Sequence, residues 1–235
     1  MYNPTPPPLS LVEPVMVVAP HLDDAALSCS AVLAAHPGTV AATVFAGAPR
    51  SPHEGYNSAT TGRRYAPDAI AVRRREDSRA LASVGAHPVW LDLLDLDYAS
   101  FRPDRPYLHD VEDALRDLLA RHRPATLVSP VGIWHPDHLL VASAALAESA
   151  GQGITRLLYA DLPYARAVPD LLHDRLREIS RRWDLTEVAI DAVARDKRAL
   201  VHEYRSQVRA TRQHQRRAFA ATLRGAERYW LVSDR

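Results

Sequence analysis

The sequence predicts an α/β protein with a mostly parallel sheet and helices on both of its faces. Three observations carry this expectation. Short apolar runs rich in β-branched residues alternate with segments of helical length and pattern. The first of these runs is continuous rather than alternating, as a strand covered on both faces is. Strands spaced by helices of this length make βαβ units, which set successive strands side by side in parallel.

The Pro-rich opening, residues 1–13, reads as an extended N-terminal arm ahead of a single domain spanning 14–235. "PVMVVAP" (14–20) is the first strand, and Asp23 or Asp24 stands where a helix over 24–36 would be capped. Cys29 falls within that helix and reads as a small buried hydrophobe. "TVAATVFAG" (39–47) is a second strand, followed by a polar loop from about 48 to 66. Loops of that length in compact domains are often functional. A helix over 67–85 opens on Pro67 and closes on Gly85. Then come a strand at 87–94, an amphipathic helix at 111–122, a strand at 125–130, a helix at 137–150 and a strand at 154–163. Beyond about residue 165 the pattern loosens into a helix at 169–180, a strand at 185–190, a helix at 191–207 and a strand at 226–232. These read as an extension of the same domain.

Composition narrows the class. A chain of 235 residues can bury one sizeable core, and 47% hydrophobic with 24% charged residues is globular rather than disordered. A net charge of +1 calls for neither nucleic acid nor an anionic membrane as partner, while self-association into a homo-oligomer is left open. One cysteine rules out an internal disulfide and fits a reducing compartment. The opening has no basic segment followed by a continuous apolar one, and no apolar run approaches about 18 residues, so a cytoplasmic location is expected.

The chemistry is concentrated in two places. In an open parallel sheet, ligands sit beyond the carboxyl ends of the strands. His21, Asp23 and Asp24 follow the first strand directly, and "VGIWHPDH" follows the fourth, carrying His135, Asp137 and His138 to the same rim. Singly, each would be unremarked: an Asp at a helix start is a cap, and a loop histidine is commonly just satisfied by its neighbours. Together they make the imidazole and carboxylate set of a catalytic zinc site or of a non-haem iron(II) centre. His21 and Asp24, three apart across a turn, can converge on one ion, which leaves Asp23 as a free carboxylate for general base work. One of His135 and His138 can complete the metal shell while the other serves an oxyanion or a leaving group.

These motifs resemble those of the PIG-L deacetylase family, also called LmbE-like. "PHLDD" is similar to its Pro/Ala-His-Pro-Asp-Asp motif, and "HPDH" matches its second motif. "RRREDSRALASVGA" (73–86), "YADLPYAR" (159–166) and "DKRALVHEYRSQ" (196–207) are similar to further family segments, so the likeness runs from about 15 to 230. The resemblance implies a Rossmann-like fold and a zinc-dependent hydrolase that cleaves N-acyl groups, commonly acetyl from an amino sugar. By motif position it implies His21, Asp24 and His138 as metal ligands, Asp23 as base and His135 as electrophilic or acidic partner. Asp137 would orient a histidine, and Arg73 would hold a substrate hydroxyl or carboxylate, with Arg74 and Arg75 as alternative registers. Tyr164 and Tyr204 could line the pocket or simply pack. The metal would be zinc, with another divalent ion such as Fe2+ as the alternative, and the partner a small N-acylated molecule. Two departures stand out. Leu22 replaces the usual proline of the first motif, and Ile133 stands where some members carry a tyrosine.

Three other readings compete. The same site could act on a thiol conjugate or a natural-product acyl group. A metal-dependent phosphoesterase would gather two ions and more carboxylates. A non-catalytic binding protein could keep the fold. A nucleotide-binding dehydrogenase is disfavoured, because no G-x-G-x-x-G follows the first strand.

Overall fold

In the computed structural model, residues 5–48, 69–96, 106–190, 197–208 and 216–235 are described. The chain enters through β1 (Pro8–Leu9) and β2 (Val15–Ala19), then α1 (Asp24–Ser28), α2 (Ser30–Ala35) and β3 (Val40–Thr43). It continues through α3 (Ala69–Ser83), β4 (His87–Trp90), α4 (Leu108–His122), β5 (Thr126–Pro130), α5 (Pro136–Ser149) and β6 (Thr155–Tyr159). The C-terminal part holds α6 (Tyr164–Ala167), α7 (Pro169–Ile179), β7 (Trp183–Ile190), α8 (Lys197–His202), α9 (Arg216–Thr222) and β8 (Tyr229–Asp234).

The strands form one sheet in the order β1-β7-β8-β6-β5-β2-β3-β4. From β6 to β4 every neighbour is parallel, and β8 runs antiparallel to both β6 and β7. All five residues of β2 are buried, and they divide by parity. Val15, Val17 and Ala19 join a core with Leu27 of α1, Leu33 of α2, Leu81 of α3 and Val201 of α8. Met16 and Val18 join a second core with Val111 and Leu115 of α4 and Val141 and Ala145 of α5. Helices therefore cover both faces, as the continuous apolar run of β2 requires.

Several boundaries differ from expectation. The helix expected over 24–36 is two short helices, broken at Cys29, whose backbone leaves helical geometry at φ −131°, ψ 25°. The break is stabilised from outside: the Glu227 carboxylate accepts hydrogen bonds from the Ser30 and Ala31 amides and from the Ser30 hydroxyl. Neither Asp23 nor Asp24 caps α1 with its side chain. The N-terminal arm is extended where it is described, but it joins the sheet. Pro8 and Leu9 pair with Ala189 and Ile190, Leu11 is buried, and Val12 exchanges two hydrogen bonds with the Thr126 hydroxyl. Helix α4 begins at Leu108, earlier than the expected 111, because the Asp110 side chain accepts from the Tyr107 amide. α9 was not foreseen. The expected loop lies outside the described residues beyond residue 48, as do Pro67 and residues 191–196 of an expected helix.

The carboxyl ends of β2, β5 and β6 lie side by side in the middle of the sheet. There the loops carrying His21, His135 and Asp161 leave the strands.

Candidate metal centre

The turn after β2 is built around His21. The Asp23 and Asp24 amides both donate to the His21 carbonyl, and the His21 amide donates to Asp24 Oδ2 at 2.9 Å. This reverses the expected cap, since Asp24 turns back on the turn rather than down onto its helix. Asp23 sits at φ 147°, ψ −22°, a region that a residue with a Cβ rarely occupies.

The turn after β5 has its own special geometry. Gly132 lies at φ 82°, where a Cβ would meet the His138 carbonyl oxygen at 2.9 Å and the Ala142 Cβ at 2.5 Å. The close approach of this loop to α5 thus depends on glycine. His135 is the N-cap of α5, and its Nδ1 accepts from the Asp137 amide at 3.2 Å.

These two turns bring the histidines and carboxylates together. His21 Nδ1 lies 3.5 Å and His138 Nε2 3.3 Å from the same atom, Asp24 Oδ2. The remaining nitrogen of each ring is held by a different carboxylate. His21 Nε2 donates to Asp137 Oδ2 at 2.9 Å, and His138 Nδ1 donates to Asp161 Oδ1 at 2.6 Å. Asp137 also accepts from the Leu96 amide, and Asp161 from the Gly132 amide. Both rings are thereby turned so that the second nitrogen faces Asp24, as carboxylate-backed histidines present a nitrogen to a metal.

The donor set fits a divalent ion. The ligand atoms of His21, Asp24 and His138 all lie within 4.8 Å of one another. His138 Nε2 is buried with no hydrogen-bond partner, an unsatisfied atom that an ion would satisfy. A second group, His21, His135 and Asp137, is equally close. Its acceptor is already committed, however, because Asp137 Oδ2 takes hydrogen bonds from His21 and Leu96. His21, Asp24 and His138 are therefore the set that could hold a metal with carboxylates behind both histidines.

The charges respond to this packing. Burial penalises a charged His21, but hydrogen bonds to Asp137 and Asp24 outweigh it and raise its pKa well above the ordinary value. Burial would raise the Asp24 carboxyl, yet His138 and His21 hold it below the usual range. Asp23 goes the other way: burial first and the Asp24 charge second push it well up, against the pull of His21 and Arg73. No hydrogen bond to the Asp23 carboxylate is found among the described residues.

The three candidate arginines separate clearly. Arg74 is spent on the fold, donating to the Ala46 carbonyl through Nε and Nη2 and lying over the Trp90 ring. Arg75 is exposed. Arg73 is half-buried, and its charge acts on Asp23. Tyr204 is fully buried and donates to Asp77, which also accepts from the Trp90 indole, so it packs rather than lines the site. Tyr164 does reach the site, edge-on to His138 with ring centroids 5.3 Å apart. Ile133 is buried and offers no donor. Sequence reasoning passed over Asp161 and Trp134. For Asp161 the usable signal was its position, an acid placed immediately past the apolar run of β6 at the same rim.

Comparison with known proteins shows the family. The PIG-L family, described as GlcNAc-PI de-N-acetylase, matches residues 16–149, a stretch that contains both histidine turns. The chain belongs to the PIG-L family. It is similar to 2'-N-acetylparomamine deacetylase of Streptomyces fradiae, with 30% identity over 92% of this chain and 80% of that one. Among solved structures it resembles a triple mutant of a deacetylase of the teicoplanin biosynthetic pathway. The TM-score is 0.71 and the identity 25%, over 94% of this chain and 98% of that one. The A40926 pseudoaglycone deacetylase Dbv21 is similar at TM-score 0.68 and 26% identity, over 93% and 96% of the two chains. These PIG-L-like neighbours share the mostly parallel sheet. Among the described residues, no helix is long and apolar enough to cross a membrane.

Proposed function

We propose that this PIG-L protein is a zinc-dependent N-deacetylase, removing an acetyl group from an amino sugar or a glycosylated small molecule. The observation that carries the reading is the convergence of His21 Nδ1 and His138 Nε2 on Asp24 Oδ2, with the neighbouring Asp23 carboxylate left over. The related deacetylases support the substrate class, since their names place them on N-acetylparomamine, on a pseudoaglycone and in the teicoplanin pathway.

His21, Asp24 and His138 would hold the ion. When bound, a divalent ion of this kind polarises a carbonyl and lowers the pKa of water. Asp23 is the proton acceptor. Burial and the neighbouring Asp24 charge raise its pKa, which strengthens the carboxylate as a proton acceptor. It takes a proton from water as the new C–O bond forms at the acyl carbon. His135 holds the developing oxyanion. Because its Nδ1 accepts from the Asp137 amide, the ring proton resides on Nε2, the nitrogen that would donate to the oxyanion. Collapse then breaks the C–N bond. Asp23 returns its proton to the departing nitrogen, giving a free amine and acetate. Arg73, whose charge acts on Asp23, would hold a substrate hydroxyl or carboxylate.

The test is amine release by the zinc-loaded protein over a panel of N-acetylated amino sugars and glycosides. The proposal expects release that disappears on chelation and returns with added zinc. No amine from any member, or release that survives metal removal, would overturn it.

A further inference from the structure

Trp134 is the least comfortable side chain near the candidate site. It is 57% exposed, and its backbone sits at φ 69°, a left-handed geometry that a bulky residue adopts only when its surroundings enforce it. The indole gains little from burial in the protein, yet the loop is folded to project it. A tight turn, with the His135 amide donating to the Ile133 carbonyl at 2.8 Å, sets it on the rim directly before His135. Its ring lies over Tyr164 at 6.5 Å between centroids and 23° between planes. Tyr164 in turn meets the candidate ligand His138 edge-on. An aromatic ledge thus runs from the metal centre to the solvent.

A ledge of this kind suits a ring with an apolar face and polar edges. The C–H face of a pyranose can lie flat on the indole while its hydroxyls stay in water, and a short acyl amide without a ring gains nothing from it. We infer that Trp134, backed by Tyr164, is the stacking platform for the pyranose ring of the substrate and so a specificity-determining residue. This rests on the proposed deacetylase reading for the identity of the ring, but not for the existence of the ledge.

The experiment compares wild type with Trp134→Ala and Trp134→Phe on two probes, methyl 2-acetamido-2-deoxy-β-glucopyranoside and the ring-free N-acetylethanolamine. Trp134→Ala should raise KM for the pyranoside about tenfold with kcat little changed, and leave N-acetylethanolamine unaffected. Trp134→Phe should recover most of the loss. In parallel, the indole N–H resonance assigned to Trp134 by its loss in Trp134→Phe should shift on titration with the pyranoside. That readout needs no turnover. A shift without amine release would sink the deacetylase reading and keep the ledge. An indole resonance that does not move, or a Trp134→Ala variant with wild-type KM for the pyranoside, would overturn the inference.

Discussion

Nδ1 of His138 lies 2.6 Å from Oδ1 of Asp161, and both side chains are shut off from solvent. The contact fixes the ring so that its other nitrogen faces Asp24, and it ties the end of β6 to the turn after β5 through the Gly132 amide. Removing a carboxylate that backs a metal-binding histidine typically lowers metal affinity by about 10- to 100-fold. Asp161→Ala should therefore weaken zinc binding by that order in competition with a chromophoric chelator, while far-ultraviolet circular dichroism stays native. Unchanged affinity would show that Asp161 is only packing.

Asp23 makes a prediction that separates folding from chemistry. Its backbone φ of 147° costs about 1 kcal/mol or more, and glycine accepts positive φ more readily. Asp23→Gly should raise Tm by roughly 2–4 °C. A lower Tm would mean that the Asp23 side chain stabilises this turn in some way beyond the contacts described.

Gly132 makes the opposite prediction. A Cβ there would press on the His138 carbonyl and Ala142 from a backbone at φ 82°. Gly132→Ala should destabilise by about 2–3 kcal/mol in urea unfolding. It should also weaken zinc binding, because the start of α5, which carries His138, must shift. A variant as stable as wild type would contradict the packing described for this turn.

Glu227 and Lys197, paired at 2.7 Å, predict an acid dependence of stability. Burial raises the Glu227 carboxyl, but the Lys197 charge and hydrogen bonds from Lys197, Ser30 and Tyr229 outweigh it and leave the pKa below the ordinary glutamate value. A folded-state pKa below the unfolded value of about 4.3 gives stability that is present above that pH. It is lost as pH falls through the folded value. Glu227→Gln, which leaves the largely covered Lys197 without its counter-charge, should be less stable than wild type by roughly 3–5 kcal/mol at pH 7. The gap should narrow below about pH 4. A gap independent of pH would rule out the ion pair as its source.

The parts of this molecule that could be read from sequence are those whose pattern is local. β2 is recognisable because burial on both faces demands an unbroken apolar run, and the two His/Asp turns because each follows such a run directly. β7 is also visible, although its outward residues Asp184, Thr186 and, in part, Glu187 dilute the signal. What stayed hidden depends on distant partners. Nothing near residue 29 announces that Glu227 will break the first helix there. Nothing in "AERYWLV" tells that it will insert antiparallel between β6 and β7. Asp161 stands where an acid past the apolar run of β6 reaches the rim, but only the fold shows that it backs His138, and Trp134 reads as one loop aromatic until its ring is seen over Tyr164.

In the proposed deacetylase, Asp23 and Asp24, adjacent in sequence, would do different work: one would move the proton and the other would help hold the ion. The most direct test is amine release by zinc-loaded Asp23→Ala on whichever N-acetylated glycoside the wild type turns over fastest. kcat should fall roughly 10²- to 10⁴-fold in protein that still carries its zinc. Turnover near the wild-type rate in that zinc-loaded variant would contradict it.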